Sequence, residues 1–160
     1  FTKYTSNAGM AELRREIASY LERRFQLKYD FASQIIVTVG GSEGIDLALR
    51  CMVNPGDEVI VPVLSFVGMA GGTPVYVETK AENEFRLTPE ELRAAITPKT
   101  KVLVLPFPNN PTGGVMGRAD LEAIAEVLRG TDIMVLSDEI YAELTYGQHH
   151  VCIANIPDMY

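Results

Sequence analysis

Apolar residues recur along this chain in two rhythms, one of helix and one of strand. Met10, Leu13, Ile17, Leu21 and Phe25 return at three- and four-residue steps within a charged stretch, the spacing of a single helical face. A polar lead-in, Tyr4-Thr5-Ser6-Asn7-Ala8-Gly9, precedes them. Ile35 to Val39 is short, apolar and β-branched, which predicts a strand; Gly40-Gly41-Ser42-Glu43-Gly44 breaks it and opens a helix through Ala48, Leu49 and Met52. The turn Asn54-Pro55-Gly56-Asp57 introduces a predicted strand over Glu58 to Val61, and Gly71-Gly72 introduces another over Thr73 to Val77. Thr88-Pro89-Glu90-Glu91 is a capping box with proline at the first helical position, starting a helix that runs to Ile96. Lys101 to Leu105 and Ile133 to Leu136 are near-continuous apolar runs of strand length. Between them Leu121, Ile124, Ala125 and Leu128 share one face of a helix that stops at Gly130.

Strands alternating with helices predict βαβ units, hence an α/β fold with a mostly parallel sheet and helices on both faces. Ligands in such open sheets sit beyond the carboxyl ends of the strands. The unusual loops all fall there: Gly41-Ser42, Phe66, Asn110 and Asp138 each follow a predicted strand. A chain of 160 residues can bury a real core, yet it opens on Phe1 and enters a helix almost at once, which reads as an internal part of a larger protein. The net charge of -7 disfavours nucleic acid and anionic membrane as partners. The apolar runs are too short for a membrane-crossing helix. Cys51 and Cys152 lack metal-ligand spacing; Cys51 is expected to be a buried free thiol in an apolar helix, which fits a reducing cytoplasm.

Candidate chemistry concentrates in three places. Phe107-Pro108-Asn109-Asn110-Pro111-Thr112-Gly113 follows a strand directly, and its prolines fix the backbone around two asparagines, so an amide is presented with little freedom. Asp138, behind Ile-Met-Val-Leu-Ser, is expected to be partly buried and so to need a partner, unless it caps a turn; Tyr141 stands three residues on. Gly41-Ser42-Glu43 stands at a helix N-terminus whose free N–H groups suit a phosphate, with the Glu43 carboxylate expected to point away. Ser42 could equally be a simple cap. Gly40 to Gly44 also satisfies Gly-x-Ser-x-Gly, with Asp138 and then His149 or His150 following in Ser–Asp–His order, so a serine hydrolase is a rival reading. That reading leaves the asparagine turn and Tyr141 without a role. A non-catalytic binding module is the third. No dinucleotide or Walker glycine motif and no Cys/His metal spacing is present.

Asn110-Pro111-Thr112-Gly113 together with Asp138-Glu139-Ile140-Tyr141 resembles the class I/II aminotransferases, enzymes that use pyridoxal 5′-phosphate (PLP) on the large domain of fold type I. The resemblance implies that Asp138 pairs with the pyridine nitrogen of PLP and that Asn110 and Tyr141 hydrogen-bond its phenolate oxygen. It places the PLP phosphate at Gly41, Ser42 and Glu43, the ring against Phe66, and Tyr4 on the phosphate of a partner subunit's cofactor in a homodimer. Residues 1–160 would then be part of the large PLP-binding domain, with the N-terminal arm and C-terminal small domain outside. The implied reaction moves an amino group between an amino acid and a 2-oxo acid, although a PLP-dependent lyase on this fold would share every residue named. The Schiff-base lysine of the resembled family lies in a Ser-x-x-Lys stretch expected beyond Tyr160. None of Lys3, Lys28, Lys80, Lys99 or Lys101 has that context, so no catalytic residue is assigned and the chain alone is expected not to catalyse transamination. The span from Val61 to Thr73 is also short for a parallel crossover, so either the strand at 73–77 is not a parallel partner of 58–61 or, the favoured reading, residues are missing between Val67 and Gly68.

Overall fold

Alternate residues of a strand face opposite sides of its sheet, and here both sides are apolar, so both must be covered. The computed structural model describes residues 4–62 and 70–160; Phe66 and the Val67–Gly68 junction lie outside the described residues. The chain divides into two units, residues 1–44 and 45–160.

In the first unit α1 spans Ala11–Phe25 and ends where Gln26 turns left-handed (φ 56°) and its N–H bonds the Glu22 carbonyl. Phe25 is buried as its periodicity predicts, but Met10 and Leu13 are exposed. The buried polar residue of this helix is Arg14, whose Nη1 donates to the carbonyls of Phe31 at 3.0 Å and Ala32 at 3.2 Å. The predicted strand at Ile35 to Val39 does not form. A strand needs a ladder, and this segment meets the lead-in through the Val37 N–H bond to the Ala8 carbonyl at 3.0 Å. Gly9 (φ 94°) permits that approach, since a Cβ there would lie 2.8 Å from Val37 Cβ.

The second unit holds a parallel sheet of β1 (Glu58–Val61), β2 (Thr73–Tyr76), β3 (Thr100–Leu105) and β4 (Met134–Ser137), ordered β2-β1-β3-β4. Ile60, Leu103 and Leu105 pack on one side with Leu92 of α3 (Pro89–Ala95) and Leu121, Ile124 and Leu128 of α4 (Arg118–Leu128). Val59, Val61, Val102 and Val104 pack on the other with Leu49 and Val53. Leu49 belongs to α2 (Gly41–Met52), which begins in the first unit and continues in the second. The predicted α/β sheet with helices on both faces is therefore present. Cys51, expected to be buried, is exposed. It sits two positions beyond the fully buried Leu49, roughly 200° around the helix at 100° per residue, so it points the opposite way.

The predicted capping box is formed in full: Glu91 N–H donates to Thr88 Oγ1 at 3.2 Å, and Thr88 N–H donates to Glu91 Oε2 at 3.0 Å. Thr88→Ala is expected to lower stability by about 1 kcal/mol, read as a shifted urea midpoint with unchanged slope. No shift would mean that Pro89 alone sets the helix start.

Candidate active site

Two adjacent parallel strands deliver the candidate residues to the same end of the sheet. Leu105 and Ser137 are register partners at the carboxyl ends of β3 and β4, and Asp138 N–H extends the pairing by donating to the Leu105 carbonyl at 3.1 Å. The loops beyond must leave the sheet side by side.

Within the asparagine turn, the two amides divide their work. Asn109 is buried and braces the turn: its N–H donates to the Gly114 carbonyl at 2.9 Å, its carbonyl accepts from Gly113 N–H at 2.9 Å, and its Oδ1 accepts from Thr112 Oγ1 at 3.0 Å. Gly113 takes φ 73°, and a Cβ on Gly114 would come within 3.0 Å of the Glu84 carbonyl oxygen, so both glycines are needed. Asn110 is left exposed at the tip, where its Nδ2 donates to Tyr141 Oη at 3.0 Å. Those two residues are 31 positions apart in sequence and both were candidates. They line an open cleft of about 720 Å³ with Pro108, Gly113, Leu144 and Tyr146.

Asp138 does not itself line that cleft. It is half-buried, and its Oδ1 accepts the Ile140 N–H at 3.2 Å, so the turn-cap reading holds for one oxygen. Oδ2 accepts no hydrogen bond among the described residues. The acid, amide and phenol thus come together at one sheet end. Tyr4, Gly41, Ser42 and Glu43 belong to the first unit. Tyr4, Gly41 and Ser42 are exposed there. The Glu43 carboxylate does not point away as expected: it folds back to accept the Val39 N–H. A carboxylate in the first helical turn reaches the N–H groups just ahead of it, and this one satisfies one of them.

A partly buried network centred on Glu139 is not legible in the sequence. Glu139 accepts from Ser137 Oγ at 2.8 Å, its Oε2 lies 2.8 Å from His150 Nε2, and the Cys152 thiol donates to it. Burial alone would raise the Glu139 carboxyl, but the bonds from His150, Cys152 and Ser137 outweigh it and hold the group below its ordinary 4.5. Burial, then Glu139, push the Cys152 thiol up, so it stays a protonated donor. The donor atoms of Glu139, His150 and Cys152 lie within 4.8 Å of one another. Tetrahedral zinc with bonds of about 2.0–2.1 Å would hold its ligand atoms roughly 3.3 Å apart. The 2.8 Å His150–Glu139 separation is that of a hydrogen bond, so the group forms a bonded network and not a metal cage. The clue in the sequence was Val151-Cys152-Ile153, an apolar run that carries His150 inward.

Because its folded value is depressed, Glu139 contributes stability fully above pH 4.5 and loses it as pH falls through the lower folded value. Glu139→Gln is therefore expected to be less stable than the wild type at neutral pH, with the gap narrowing as pH drops below about 4.5. Urea unfolding across that range reads it, and a gap that persists unchanged into acid would assign the loss to shape and not to charge. Of the two histidines in the hydrolase reading, His150 is paired with Glu139 and not with Asp138.

The family model for aminotransferase class I and II matches residues 1–158. The aspartate aminotransferase of Bacillus subtilis (strain 168) is 43% identical over 164 residues, covering 98% of this chain and 42% of its own length. The aromatic aminotransferase of Pyrococcus horikoshii OT3 superposes with a TM-score of 0.94 at 36% identity, over 99% of this chain and 44% of that one. An aspartate aminotransferase from Thermus thermophilus with maleate superposes at 0.90 and 41% identity, over 97% and 42%. The chain spans 40–43% of the length of curated relatives that it matches. No helix among the described residues is long and apolar enough to cross a membrane.

Proposed function

The chain belongs to the class I and II aminotransferases, and from that premise we propose that residues 1–160 are the cofactor-binding part of an enzyme that moves an amino group between an amino acid and a 2-oxo acid. The cofactor is PLP, which this family uses. The observation that carries the reading is the 3.0 Å bond from Asn110 Nδ2 to Tyr141 Oη, made across two adjacent parallel strands beside a half-buried carboxylate whose second oxygen is unpaired among the described residues. This donor set fits the group. PLP presents an anionic phenolate oxygen and a basic ring nitrogen on different sides of one ring. Two donors and an acid are the complement of that pattern.

When bound, PLP supplies an electron sink for the bonds at the amino acid's α-carbon. The residues of this chain do the rest. Asp138 would hold a proton on the pyridine nitrogen through its second oxygen and so keep that nitrogen cationic. Tyr141 accepts from Asn110 and so keeps its own O–H proton to donate to the phenolate oxygen, and the second N–H of Asn110 is available beside it. The N–H groups at Gly41, Ser42 and Glu43, at the start of α2, would suit the PLP phosphate. By the family resemblance Phe66 would stack on the ring. Tyr4 serves the site of a partner in a homodimer, and the protein works in the cytoplasm.

The test uses the full-length protein. Apo protein is titrated with PLP by absorbance, then assayed with a panel of amino donors and 2-oxo acids chosen from those named for the relatives, aspartate and aromatic amino acids among them. Saturable binding with amino transfer supports the reading. Absence of PLP binding by well-folded protein would overturn it.

A further inference from the structure

We infer that Glu139 is a positioning residue for this site: its partly buried carboxylate ties the turn bearing Asp138 and Tyr141 to the segment 150–152 and through it to the core. The significance of the turn rests on the aminotransferase reading, whereas the tie itself does not.

The turn has little apolar packing of its own, since Ile140 and Leu144 are 68% and 57% exposed. Its backbone is held to the sheet by Asp138 N–H on the Leu105 carbonyl and closes on itself through Ala142 N–H to the Glu139 carbonyl at 2.9 Å. Beside the Asn110–Tyr141 bond at its far side, the Glu139 side chain ties the turn to the rest of the chain. One carboxylate gathers Ser137 Oγ from the end of β4, His150 Nε2 and the Cys152 thiol. The His150 side chain is only 4% exposed. Directly after Cys152, Ile153 and Ile156 are buried in the same core as Leu105 and Leu121. A cavity of about 10 Å³ lined by Ser137, Glu139 and His150 has room for no more than one water, so the bonds here are made mainly between side chains. Rigid core, polar network and turn therefore form one continuous support, and the two acids at 138 and 139 have separate duties. Asp138 keeps one oxygen without a partner among the described residues, and Glu139 holds the backbone that carries it.

The experiment compares Glu139→Gln, Glu139→Ala and, as a control that loosens the core elsewhere, Ile124→Val in the full-length protein. Hydrogen exchange is measured on the apo form, and the affinity for PLP and the pH midpoint of the bound cofactor's absorption on the loaded form. Bonds to a buried charged group set the scale, so amides over 138–142 should exchange about ten- to a hundredfold faster in both Glu139 variants while β3 keeps its protection. PLP affinity should fall and the absorption midpoint shift in those variants, with neither changed in Ile124→Val. Wild-type exchange at 138–142 in both Glu139 variants, or the same acceleration in Ile124→Val, would overturn the inference. So would one zinc per chain in purified protein that disappears in Glu139→Gln. Failure of the wild type to bind PLP would sink the aminotransferase reading, while the exchange result on apo protein would still decide this one.

Discussion

Asp138→Asn in the full-length protein is expected to leave the fold intact and to lower turnover by about a hundred- to a thousandfold, the scale of losing one preorganised electrostatic contact at a reacting centre. The substitution is nearly isosteric. Its amide oxygen still accepts the Ile140 N–H that caps the turn, so the local backbone has no reason to move. What would disappear is the negative charge proposed to face the pyridine nitrogen. Without it the nitrogen would lose its proton near neutral pH, and the ring would withdraw electrons less strongly from the α-carbon. Turnover and the ultraviolet-visible spectrum of the variant are the measurements. Rates within a few-fold of the wild type, in a variant that binds PLP, would take Asp138 out of the cofactor site.

The largest stability effect is expected at Leu103. It is fully buried in the central strand β3, inside the cluster formed with Leu92, Leu121 and Ile124. Leu103→Ala removes three carbons from a wall closed by sheet on one side and by α3 and α4 on the other. The expected loss is about 2–5 kcal/mol, transfer plus unfilled cavity. Against a domain stability of about 5–15 kcal/mol that is a large share, and soluble yield should fall with it. Urea unfolding gives the number; a change below about 1 kcal/mol would show that the two helices close the gap.

The elements most legible in the sequence were those fixed by local chemistry. Thr88 to Glu91 carried both halves of its capping box in four consecutive residues, and Glu58 to Val61 was bracketed by a Pro-Gly turn and a proline. Asn110 and Tyr141 were legible for another reason: each ends a strand-sized apolar run, and parallel neighbours bring their ends together. What escaped depended on partners. Ile35 to Val39 had strand composition but no ladder, and composition says nothing about a neighbour. Leu13 keeps helical spacing yet stays exposed, while Arg14 next to it is buried because two carbonyls of the following loop receive its guanidinium. Glu139 hid beside a more conspicuous acid, and its role appears only once His150 and Cys152 are folded against it.

The pairing of Leu105 with Ser137 gives this site an unusual sensitivity to alignment. Successive residues leaving a strand point to opposite sides, and here two consecutive ones are acids of nearly the same chemistry. A slip of β4 by one position against β3 would turn the strand over and move each residue onto its neighbour's place. In one direction Glu139 would stand where Asp138 belongs and Ile140 would face His150; in the other Asp138, one methylene shorter, would face His150 and Ser137 would stand in the place of the aspartate. Either misfolded chain would keep its composition and its charge and have one carboxylate, not two, across those two places. The contact of Glu139 with His150 therefore favours the native register, since a slipped chain offers that imidazole an apolar side chain or an acid too short to reach it.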